Sequence, residues 1–180
     1  ITSDTWASGG NLGSSHYNRG GAGIQTAALA FGGVPIIAKT EEYNGSSWSE
    51  QNDLGTGRQK LGGCGIQTAA LAYGTSWSTS PGALNTARDR LAGCGTQTAG
   101  LGFGGEPTTN ATEAYDGTSW TEVNNLNHSR QRLAAGGTQT AALAFGGTPY
   151  SGAATGDGGE TEKWDGTSWT TTARMALGQQ

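Results

Sequence analysis

Two basic residues, two positions apart, recur ahead of three glycine-rich segments: Arg58 and Lys60, Arg88 and Arg90, Arg130 and Arg132. In a first, related segment His16 stands at the arginine place. Carboxylates recur as regularly, at Glu41, Glu113 and Glu162. Such charges can pair within and between structural units, or the cations can gather on one face and hold an anion such as an acidic glycan. Pairing needs no ligand and is the reading favoured here, although an isolated exposed pair contributes only about 0–1 kcal/mol. Five tryptophans, Trp6, Trp48, Trp77, Trp120 and Trp169, also hold corresponding places. Exposed indoles stack on sugar rings, but equal placement in every copy fits packing between neighbouring units better.

Other chemistries find little support. The only histidines, His16 and His128, occupy non-equivalent positions. Cys64 and Cys94 sit at equivalent places in GGCG and AGCG, where the other copies carry Ala22 and Gly136. They are expected to pack as small apolar residues with free thiols, with a disulfide as the alternative; their spacing is no metal signature. No GxSxG, HExxH or phosphate-binding glycine loop is present. The chain is therefore expected to be non-enzymatic, with no catalytic residue, metal or cofactor assigned. Ligand contacts are instead expected in three variable loops, which share a proline (Pro35, Pro107, Pro149) and then diverge. Variable loops on a rigid scaffold are where binding residues usually sit. Tyr150, Asp157 and Asn110 are the candidate ligand-binding residues, against the alternative of solvated loops without function. Asp157 and Glu160 fall far short of a calcium-loop pattern.

These residues are positioned by a fourfold repeat: GIQTAALAFGG at 23–33, GIQTAALAYG at 65–74, GTQTAGLGFGG at 95–105 and GTQTAALAFGG at 137–147. A leucine precedes each repeat glutamine by 13 residues, at Leu12, Leu54, Leu84 and Leu126, and Met175 holds that place after Trp169. Each unit reads as four strands: a (as LAGCGTQ), b (TAALAFGG), c (TEAYDG) and d (TSWTEV). Asn44-Gly45, Asp116-Gly117 and Asp165-Gly166 predict tight hairpins between c and d with both turn residues at positive φ. The 33 glycines in 180 residues penalise helix nearly everywhere. From glutamine to the tryptophan of the next strand d is 23 residues in the first and third units, 10 in the second and 30 in the fourth. The second unit thus lacks strand c, and the fourth carries an insertion.

Four strands per unit of about 42 residues suit the blades of a β-propeller. An Arg before strand a, Gly-Gly ending b, Tyr-Asp-Gly ending c and Trp in d together resemble a Kelch repeat. The likeness runs the length of the chain, in a compact glycine-rich variant similar to arrays in phage and environmental bacterial surface proteins. It implies an all-β, Kelch-like propeller of about four blades within a single repeat domain, 1–180. Strand d of a preceding blade takes 1–12, and the blades follow at 13–53, 54–82, 83–125 and 126–180. Five d strands against four blades leave one over, which predicts a larger ring or array, or pairing with another subunit.

Only 13% of the residues are charged, with net charge −4 and pI near 5.0. Nucleic acid is not an expected partner, and no apolar run reaches the length of a membrane span. The partners expected are other subunits of an assembly, a homo-oligomer first among them, with surface glycan as the alternative. A virion or extracellular surface is the favoured location.

Overall fold

The computed structural model describes residues 10–74, 83–107, 109–149 and 159–175. Among these residues every regular element is a strand. The first unit is an antiparallel meander of β1 (Gly20–Ile24), β2 (Ala27–Phe31), β3 (Thr40–Tyr43) and β4 (Trp48–Gln51). The second is a hairpin of β5 (Gly62–Ile66) and β6 (Ala69–Tyr73). The third repeats the first as β7 (Ala92–Thr96), β8 (Ala99–Phe103), β9 (Thr112–Tyr115) and β10 (Trp120–Val123). A short ribbon pairs β11 (Arg130–Gln131) with β14 (Thr148–Pro149). The fourth sheet is β12 (Ala134–Thr138), β13 (Ala141–Phe145), β15 (Thr161–Trp164) and β16 (Trp169–Thr171).

The first two strands of every unit form a hairpin whose turn is the repeat's Gln-Thr pair. Its geometry explains one glycine of the repeat. Gly23, Gly65, Gly95 and Gly137 all have φ between 103° and 121°. A Cβ at any of them would strike the carbonyl oxygen of the alanine that opens the return strand. No L-residue with a side chain fits there.

The c–d hairpins exist, but their loops are longer than Asn-Gly and Asp-Gly predict. Residues 44–47 form a four-residue loop, in which only Gly45 has positive φ, at 94°. The Asn44 side chain accepts the Ser46 and Ser47 N–H groups, both at 3.0 Å. Asp116 does the same for Thr118 and Ser119, and Asp165 for Thr167 and Ser168. Those bonds hold both aspartates below the usual carboxylate range. A side chain mimicking a backbone turn has replaced the two-residue loop.

The sheets stack in chain order through their first strands: β1 beside β5, β5 beside β7, and β7 beside β12. β12 and β1 make no comparable pairing. One apolar core lies between the third and fourth sheets, around Leu101, Phe103, Leu126, Trp164 and Trp169. Another lies between the second and third, around Cys64, Tyr73, Tyr115 and Trp120. Met175 fills the leucine place as expected. Its N–H bonds Gly159 O, just as Leu54 bonds Ala38 O and Leu126 bonds Asn110 O. No helix among the described residues is long and apolar enough to cross a membrane.

Candidate functional site

The repeated carboxylates are buried and paired. Arg88 Nη1 lies 2.9 Å from Glu113 Oε1, and Arg130 Nη2 lies 2.9 Å from Glu162 Oε1. The second oxygen of each glutamate accepts a backbone N–H at 2.7 Å, from Asn85 and Asn127 respectively. Each pair thereby ties strand c to the segment leading into strand a of its own sheet. Arg130 adds bonds to Gly146 O and Glu160 O at 3.1 and 2.7 Å. In the first sheet the partner of Glu41 is Arg19, at 2.8 Å, and not the residue at the His16 place. Arg19 occupies the site held by Leu61, Leu91 and Leu133 elsewhere, and its longer reach restores the ion pair. Burial alone pushes the Glu41 carboxyl up; Arg19, the Gly13 N–H and the Ser14 hydroxyl together hold it below its usual value. Arg58, whose sheet has no described strand c, has no carboxylate partner among the described residues.

The second cation of each repeat does something different. Lys60, Arg90 and Arg132, with Asn18 in the first unit, adopt left-handed φ of 54°, 54°, 57° and 57°. They form a backbone ladder across the stack. Lys60 N–H donates to Asn18 O at 2.8 Å, Arg90 to Lys60 O at 3.0 Å, and Arg132 to Arg90 O at 2.8 Å. These residues, together with Arg19, Leu61, Leu91 and Leu133, line a cavity of about 260 Å³. Asp89 lies 3.6 Å from Lys60 Nζ and 3.7 Å from Arg90 Nε, and Glu106 lies 3.6 Å from Arg90 Nη1. Arg132 is exposed and has no carboxylate partner among the described residues. Non-glycine residues at positive φ cost of order 1 kcal/mol each and cluster where a structure needs them. Of its four cations, Arg19, Lys60 and Arg90 already lie beside carboxylates. The repeated basic place was legible in the sequence, but its strained backbone was not.

Several of the other repeated residues join one sheet to the next, although Trp48 is only half-buried and Trp6 and Trp77 lie outside the described residues. Trp120 packs on Tyr73 of the preceding sheet (centroids 5.0 Å apart), and Trp169 on Phe103 (4.8 Å). Trp169 Nε1 also donates to Thr112 Oγ1 at 3.1 Å. Gln67 Nε2 donates to Tyr43 O at 2.6 Å, and Gln139 Nε2 to Tyr115 O at 2.7 Å and Gly100 O at 3.2 Å. The cysteines are free and buried. Their thiols point at Thr96 O and Thr138 O of the following sheets. Burial pushes Cys64 up to about 11 and Cys94 up to about 12.

Of the loop candidates, Tyr150 and Asp157 lie outside the described residues. Asn110 is half-buried, and its side-chain amide donates to Leu126 O at 2.9 Å, closing the loop that follows strand d. Glu160 lies beside Arg174 and His128, at 3.2 and 3.4 Å. No group of three or more metal-ligating side chains occurs among the described residues. No protein-family model and no curated protein matches this chain.

Proposed function

We propose that the chain is a set of Kelch-like β-propeller blades serving as a non-enzymatic structural or adhesive module, in a phage tail, fibre or comparable surface assembly. The observation that carries this reading is how the repeated reactive residues are used. Arginine–glutamate pairs brace each complete sheet, while tryptophan, glutamine and cysteine bind one sheet to its neighbour. Residues spent in this way serve a scaffold. An acidic-glycan-binding propeller is the second reading, favoured by one observation: the cation-lined cavity at Lys60, Arg90 and Arg132. A glycan array spanning neutral, uronic and sulfated sugars decides between them. The scaffold reading expects no saturable binding. Saturable binding of acidic glycans that is lost in Arg132→Ala would replace it with the second.

A further inference from the structure

Each sheet has a forward face, turned to the next sheet, and a rear face, turned to the one before. On forward faces the strand b aromatics Phe31, Tyr73 and Phe103 are at most 2% exposed, because a following sheet covers them. Phe145, the fourth of the series, is only half-buried. Leu143 is 44% exposed, where its counterpart Leu101 is fully buried. Ala134 and Gly136 are exposed where Ala92 and Cys94 are buried. A Cβ on Gly136 would meet nothing within 4 Å. The forward half of the joint is therefore complete on the fourth sheet and covered by no described residue.

The first sheet carries the complementary half. Trp48 and Tyr43 are half-buried, whereas Trp120, Trp169, Tyr115 and Trp164 on later rear faces are buried. A Cβ on Gly63 would strike Phe31 of the sheet before it, and one on Gly93 would land on the Tyr73 hydroxyl. A Cβ on the equivalent Gly21 would meet only its own sheet, at Leu29 O. The Gln25 amide, at the place where Gln67 and Gln139 bond the preceding sheet, is exposed.

We propose that the forward face of the fourth sheet receives the rear face of the first sheet of a second copy of this chain, head to tail. The proposal rests on the assembly reading above and names its joint. The occupant follows from continuity with an interface the chain already builds three times, since both halves of that interface are present and no described residue fills them. Phe145 would pack on the partner's Trp48, and the partner's Gln25 would reach the end of β15. A heterologous contact of this kind propagates to a closed ring or an open fibre.

Gly136→Glu and Gly21→Glu test the joint without touching the interior, since both sites have room and neither has positive φ. Light scattering should give wild type a mass above the 18.2 kDa of one chain, and each variant alone the single-chain mass. A mixture of the two should form a one-to-one dimer, because each variant keeps the half that the other has lost. If wild type assembles and both variants assemble equally well, the joint is wrong while the assembly reading stands. A monomeric wild type overturns the proposal. Lowered melting temperatures in both variants would then mean that the two faces meet within one chain. Unchanged ones would remove the assembly reading as well.

Discussion

The four repeat glutamines form an internal experiment. Gln67 and Gln139 have a strand c ahead of them, are half-buried, and bond its terminal carbonyl. Gln25 and Gln97 have no described strand c before them and are exposed, with no side-chain bond among the described residues. If the glutamine acts as a staple between sheets, truncation to alanine must cost stability at two positions and not at the others. A typical intramolecular hydrogen bond contributes about 0.5–1.5 kcal/mol net. Gln67→Ala should then cost about 1 kcal/mol, and Gln139→Ala, which loses a second and longer bond to Gly100 O, about 1.5–2 kcal/mol. Measured in the Gly136→Glu background, which removes the head-to-tail joint that would engage Gln25, Gln25→Ala and Gln97→Ala should stay within about 0.5 kcal/mol of their parent, as exposed substitutions do. Urea titration followed by tryptophan fluorescence reads these as shifts in midpoint at constant m. For a chain of this size, each kcal/mol also moves the melting temperature by about 2–4 °C. An equal loss at all four positions would refute the argument, for it would mean that the glutamine acts in its own Gln-Thr turn.

Two further outcomes are expected. The Tyr73 hydroxyl is buried with no hydrogen-bond partner of good geometry, and the other copies carry phenylalanine there, so Tyr73→Phe should stabilise the protein by about 1 kcal/mol. A fall in melting temperature would instead show that the hydroxyl makes a bond worth keeping, with the neighbouring Cys64 thiol the first candidate. Because Cys64 and Cys94 are buried and their thiols are pushed up to about 11 and about 12, an aromatic disulfide reagent at pH 8 should titrate neither in the native protein and both in denaturant. Rapid native reaction at either cysteine would contradict the packing described.

What could be read in advance was whatever repeats in register. The a–b hairpins, the burial of Trp120 and Trp169, the free cysteines and Met175 at the leucine place follow from spacing, because these copies meet equivalent neighbours; Trp48, in the first sheet, is only half-buried. What escaped the sequence depends on reach. Arg19 replaces the absent arginine from three residues further along, and no alignment by type would pair it with Glu41. The Asn44, Asp116 and Asp165 side chains enlarge their hairpin loops by capping them, a choice that the dipeptide signal does not encode. The left-handed backbone at Lys60, Arg90 and Arg132 was equally hidden, since residue type there suggests charge and not conformation. Asn110 looked like loop chemistry and is a loop brace.

The ladder through Asn18, Lys60, Arg90 and Arg132 also bears on how the chain folds. Its rungs join residues 42, 30 and 42 positions apart, so each new rung closes a loop of about one repeat. Closure entropy rises only slowly with length, and no comparable pairing of β1 with β12 has to form before the stack gains stability. Nucleation can therefore begin at any a–b hairpin and spread to its neighbours in either direction. During synthesis, each unit could dock onto the one before it as it leaves the ribosome.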